Sequence, residues 1–166
     1  MATIDNLKEA FAGESQANRK YLAFAQQAEK DGNHQMAKLF RAVAAAETIH
    51  AHSHLRAMDG VGSTLENLES AMEGEEHEFT AMYPPMIAMA KAEGNVRAER
   101  SMQYALEVEK VHFELFKQAF AAAKAGHDLH EGAIYICPVC GHTVIDELPD
   151  NCPVCNVKGS KFTEIQ

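Results

Sequence analysis

The chain is 166 residues long, 46% hydrophobic, and carries a formal net charge of −9. That suffices for one proper core plus a small appendage, and excludes a disordered or fibrous protein. With its Lys and Arg residues scattered among acids it has no basic stripe for a phosphate backbone, and it lacks the eighteen-residue apolar run of a membrane span.

The N-terminus, "MATIDNLKEAF", has no basic start, apolar stretch or cleavage site of a secretory leader. A cytoplasmic protein is expected, in a compartment where paired cysteines bind metal more often than they form disulfides. Up to about residue 126 the chain has no cysteine and shows long Ala-, Glu-, Met- and Leu-rich stretches of helical period; all four cysteines follow. "AGHDLHEGA" reads as the linker, and the domains are expected at 1–130 and 131–166.

The helical part punctuates as four helices, at about 4–31, 34–59, 65–93 and 96–124. "DGN" at 31–33 and "EGN" at 93–95 each pair a helix-ending Gly with a helix-starting Asn. Ser63 with Glu66 forms a capping box. Short turns join the first helix to the second and the third to the fourth, as in an up-and-down or ferritin-like bundle. "YPP" at 83–85 removes two backbone donors within the third helix, so a kink is expected there.

Each apolar stripe is interrupted by acid. Helix one reads Leu7, Phe11, Glu14, Asn18, Tyr21; helix two reads Met36, Phe40, Val43, Glu47, His50, His54. Helix three reads Leu65, Leu68, Met72, Glu75, Phe79, Met82 with Glu78 adjacent, and helix four reads Met102, Leu106, Glu109, Phe113 with His112 beside them. Asn33, Glu47 and His50 recur as Asn95, Glu109 and His112 at an offset of 62. An unpaired buried carboxylate would lose its charge, and no Lys or Arg lies on these seams near the glutamates, so metal cations are the natural counter-charge. A Glu from each of two helices plus Glu-x-x-His from each of the other two is a di-iron carboxylate pattern. His54 is a weaker alternative ligand. Tyr21 and Tyr83 point toward the same cavity, either as hydrogen-bond donors to ligand carboxylates or as packing residues. The remaining histidines fit no repeated spacing.

In the tail, "CPVCGHTVIDELPDNCPVC" places Cys137 with Cys140 and Cys152 with Cys155, two knuckles able to face each other around one tetrahedral ion. Spacing alone suits zinc at least as well as a single redox-active iron.

Together these features resemble the rubrerythrin family over essentially the whole chain. "GESQANRKY", "AETIHA", "EGEEHEFTAMYP" and "EVEKVH" are similar to its di-iron segments, and "YICPVCGH…LPDNCPVC" to its rubredoxin-type tail. The resemblance implies a mainly α protein: a ferritin-like four-helix bundle followed by a small rubredoxin-like iron-sulfur domain. It implies a di-iron centre held by Glu14, Glu47, His50, Glu75, Glu78, Glu109 and His112, and one iron at Cys137, Cys140, Cys152 and Cys155. It also implies reduction of hydrogen peroxide to water in oxidative-stress protection, with electrons from an NAD(P)H-linked reductase or a rubredoxin passing through the tail iron, and a homodimer.

Glu78 exceeds the usual four-carboxylate set, so a switch is expected in which one iron binds Glu78 when oxidised and His50 when reduced. A compact tail is not expected to reach the di-iron site of its own chain with ease, which favours a contact between subunits. Rival readings are a ferritin-like iron-oxidising and storage protein, and a zinc-ribbon interaction protein.

Overall fold

The computed structural model describes residues 2–166, and its helices follow the caps. Helices α1 (Thr3–Lys30) and α2 (His34–Ala57) are joined by a tight corner in which Gly32 takes φ +77°. Helix α3 (Thr64–His77) starts at Ser63, whose hydroxyl accepts from the Glu66 amide while the Glu66 carboxylate accepts from the Ser63 amide at 2.7 Å. A wide π turn, Glu78–Met82, leads into α4 (Tyr83–Ala92), and the corner at Gly94 (φ +67°) leads into α5 (Val96–Lys124). Asn95 caps α5 by accepting from the Ala98 amide at 3.1 Å.

The expected kink is thus one widened turn just before Pro84 and Pro85, which occupy the first turn of α4, where a missing N–H costs least. It carries Glu78.

The chain forms two compact units, residues 1–62 and 63–166. In the first, α1 and α2 pack as an antiparallel pair through small residues. Ala25, Ala28, Ala37, Ala44 and Ala51 are buried, whereas Met36, placed on the buried stripe by its periodicity, is 61% exposed. Alanines at 37, 44 and 51 recur every seven residues and let the backbones approach closely. The larger Phe40 and Val43 flank that line half-buried, and Phe40 stacks with Tyr21 and Phe24. Asn18 crosses the pair, donating to the Ala44 carbonyl at 2.7 Å and to the Thr48 hydroxyl at 2.8 Å.

In the second unit α3, the π turn and α4 lie along α5, with Phe79 edge-on to Phe113 at 5.7 Å. The tail adds an antiparallel sheet of order β2-β1-β3, from Thr143–Ile145, Ile134–Ile136 and Thr163–Ile165. β2 packs on α5. No helix among the described residues is long and apolar enough to cross a membrane.

Gly159 follows the second knuckle, its amide donating to the Asp150 carbonyl at 2.8 Å. A Cβ there would overlap the carbonyl oxygen of Pro149, which is backbone and cannot swing aside. Gly159→Ala should therefore destabilise the small domain by about 1–3 kcal/mol. On heating, the visible absorption of the iron-loaded tail should be lost earlier than in the wild type, while the helical circular dichroism melts as before. Coincident, unshifted loss of both signals would contradict this packing.

Candidate metal centres

Among the described residues three clusters of metal-binding side chains emerge, one in the first unit and two in the second. In the first, Glu14 on α1 and Glu47 and His50 on α2 bring one ligand atom each within 4.8 Å of the others. His50 Nδ1 lies 3.0 Å from Glu47 Oε2 and 3.8 Å from Glu14 Oε1. The second repeats this with Glu75 on α3 and Glu109 and His112 on α5: His112 Nδ1 is 2.8 Å from Glu109 Oε2 and 3.9 Å from Glu75 Oε1. Residues three apart on a helix share a face, so each Glu-x-x-His pair converges on one point.

Among the described residues no Lys or Arg pairs with these carboxylates, so the negative charge expected from sequence is left for a cation. Burial, followed by the neighbouring Glu109, pushes Glu75 up to about 7. Burial and then Glu109 also push Glu78 above the usual carboxylate range. Glu78 lies beside the Glu75–Glu109–His112 cluster rather than within it, and His54 is outside the first cluster. Tyr83 shares the field of these acids: burial and then Glu78, Glu109 and Glu75 raise its phenol. Tyr21 is engaged with the rings of Phe24 and Phe40. An open apolar cavity of about 500 Å³ is lined by Leu68, Phe116 and Ile145 and reaches Glu75 and His112.

The third cluster is the four cysteines. Cys137 and Cys155 Sγ are 3.5 Å apart, as are Cys140 and Cys152 Sγ, and all four atoms lie within 4.8 Å of one another. Metal–sulfur bonds of about 2.3 Å give a tetrahedron with edges of about 3.8 Å, so the set fits a single ion with little adjustment. The knuckles are built alike. Gly141 donates its amide to the Cys137 carbonyl and Asn156 donates to that of Cys152, and both take positive φ, +87° and +62°. Backbone amides point at sulfur: although burial raises Cys137, donation from Val139, Cys140 and the Cys155 thiol outweighs it and holds Cys137 below the usual thiol range. Burial pushes Cys140 and Cys155 up against the amides of His142 and Val157, as expected of thiols gathered without a counter-charge.

The tail reaches α5 of its own chain. Thr143 Oγ1 lies 3.1 Å from His112 Nε2. The twelve residues from His112 to Lys124 climb about 18 Å along the helix, and the nine-residue linker can span about 30 Å, so the return is within reach. The linker is pinned by His130 Nε2 at 2.7 Å from Asp146 Oδ2. Thr143 was not identified from sequence, because its partner lies 31 positions away and no spacing rule connects them.

The chain is similar to known proteins over nearly its whole length. Residues 5–120 match the family model described as rubrerythrin, and residues 135–163 match that of the rubrerythrin rubredoxin-like domain. Rubrerythrin-2 of Clostridium acetobutylicum is 39% identical, covering 96% of this chain and 95% of the relative. Nigerythrin of Nitratidesulfovibrio vulgaris is 35% identical, covering 98% of this chain and 86% of its own. Among solved structures, the fully reduced, all-ferrous state of nigerythrin matches with a TM-score of 0.60 at 34% identity, covering 99% of this chain and 87% of that one. The expected fold class, mainly α with a small rubredoxin-like domain at the end, is the one found.

Proposed function

This chain belongs to the rubrerythrin family, with its di-iron and Fe(Cys)4 centres, and we propose that it reduces hydrogen peroxide to water. One observation carries the reading: two matching half-sets, Glu14–Glu47–His50 and Glu75–Glu109–His112, stand in a chain that also gathers four thiolates. Together the two half-sets number four carboxylates and two imidazoles, the complement of a di-iron site. We take 1–130 as the peroxide-reducing domain and 131–166 as the electron-entry domain of a cytoplasmic homodimer.

A ferrous pair held by these residues would supply the two electrons that, with two protons, reduce one peroxide to two waters. The carboxylates hold the pair and offset its charge. Glu47 and Glu109, nearest the imidazoles, take the central positions, while Glu78 on the π turn stands ready as an extra anion. In this reading Glu78 would hold the more highly charged oxidised metal and His50 the reduced one. Cys137, Cys140, Cys152 and Cys155 hold the single iron that receives electrons one at a time from an NAD(P)H-linked reductase or a rubredoxin.

Anaerobic titration tests the reading. A chemically reduced chain holding three ferrous ions carries three electrons, so about 1.5 equivalents of peroxide should oxidise it completely. Cys155→Ala should leave about one equivalent, consumed by the bundle, and lower reductase-driven turnover at least about 10-fold. Zinc in the tail of anaerobically purified protein, or growth of a mineral core with oxygen, would count against it.

A further inference from the structure

Thr143 belongs to the small domain, yet its hydroxyl faces His112 on α5. The same hydroxyl donates to the Gly141 carbonyl at 3.1 Å. With its single hydrogen committed there, Oγ1 turns a lone pair toward His112 Nε2, 3.1 Å away, an arrangement that suits a hydrogen on Nε2. Nδ1 faces Glu109 and Glu75 at 2.8 and 3.9 Å, and with the hydrogen on Nε2 its lone pair would be free for a cation shared with those carboxylates.

The contact is held rigidly from both sides. Thr143 is paired with Ile136 in the sheet. Gly141 rests against Val108, one turn before His112: a Cβ at Gly141 would lie 3.8 Å from Val108 Cγ1, and Val108 is only 2% exposed. His50, the counterpart of His112 in the internal repeat, meets carboxylates of its own hairpin, and its side chain is 55% exposed against 26% for His112. The two imidazoles are therefore fixed to different degrees although their helices repeat.

The geometry points to Thr143 as a positioning residue: through its hydroxyl the small domain sets the tautomer and ring plane of His112, so that Nδ1 is presented to a divalent metal held with Glu75 and Glu109. This rests on the di-iron reading above. It also makes the thiolate knuckle and the bundle imidazole one hydrogen-bonded unit within a single chain, running from Gly141, next to Cys140, through Thr143 to His112. Which nitrogen of a histidine binds metal is set by the hydrogen bond made by the other, and loss of such partners typically costs 10–100-fold in metal affinity.

The test compares full-length wild type, Thr143→Val and Thr143→Ser. Ferrous affinity of the bundle is measured anaerobically by chelator competition, with tail absorption as a control for the small domain. Nitrogen-15 spectra of the zinc-loaded chains report the His112 tautomer. Thr143→Val, equal in shape but without the hydroxyl, should bind ferrous ion in the bundle about 10–100-fold more weakly. Its tail absorption should be unchanged, and it should lose the slowly exchanging Nε2–H signal of His112. Thr143→Ser should restore both affinity and signal, which a purely packing role would not produce. Wild-type affinity and an unchanged Nε2–H signal in Thr143→Val would overturn the inference alone. Failure of the wild type to bind metal in the bundle would overturn the di-iron reading and this inference with it.

Discussion

Replacing Glu47 or Glu109 with alanine should cost the protein at least one of its two bundle irons and lower peroxide reduction at least about 100-fold, more than is typical for outer partners of a metal site. These two side chains are only 15% exposed, against 31% for Glu14 and 20% for Glu75, and each sits within 3.0 Å of the imidazole one turn along its helix. Removing either deletes a central anion from a cluster that has no Lys or Arg to replace it. Glu78→Ala should behave differently. Standing beside the cluster, it should leave two ferrous ions bound and slow their re-oxidation by peroxide. Iron content of anaerobically purified variants, with the rate of re-oxidation by peroxide, separates the two outcomes. Equal iron loss in all three variants would remove the distinction between central and switching carboxylates.

The metal-free chain should lose stability as pH rises from about 4.5 to about 7. Burial and the adjacent Glu109 raise the folded Glu75 carboxyl from 4.5 to about 7. Below 4.5 both folded and unfolded chains hold the proton, and pH has no effect through this group. Between the two values the unfolded chain has released it while the folded chain retains it, so unfolding gains with each step upward; above 7 the loss is complete. The full shift would be worth about 3.4 kcal/mol, and solvent screening of this half-buried group reduces it to about 1–2 kcal/mol. For a chain of this size that is a fall in Tm of about 2–8 °C between pH 5 and pH 8. Glu75→Gln should flatten the profile, and ferrous loading should reverse it by favouring the ionised carboxylates. A flat profile in the metal-free wild type would mean that Glu75 is as well solvated in the fold as in the unfolded chain.

The helix ends were legible because local chemistry sets them. Gly32 and Gly94 adopt the positive φ that their corner positions require, and Ser63 with Glu66 closes the box its spacing announces. The cysteine knuckles were legible for the same reason, since Gly141 and Asn156 complete turns of only a few residues. Periodicity did less well at choosing which side of a stripe is closed. It marked Met36 as buried, whereas α1 and α2 close through alanines, because close approach of two backbones favours the smallest side chains over the most hydrophobic. The π turn was anticipated only as a kink: missing amide hydrogens at Pro84 and Pro85 weaken the preceding turn without specifying how it widens. The Thr143–His112 contact depends on how a nine-residue linker folds back, and nothing local encodes that.

The placement of one half-set on each compact unit bears on how the protein is made. The first hairpin is complete at Ala57, before Glu75 has been synthesised, and it presents two carboxylates and one imidazole at its surface. Half a ligand set leaves most of an ion's coordination to water, so the first hairpin alone should hold iron only weakly. On the proposed di-iron reading, tight capture would wait until the second half-set, with Glu75, Glu109 and His112, has emerged.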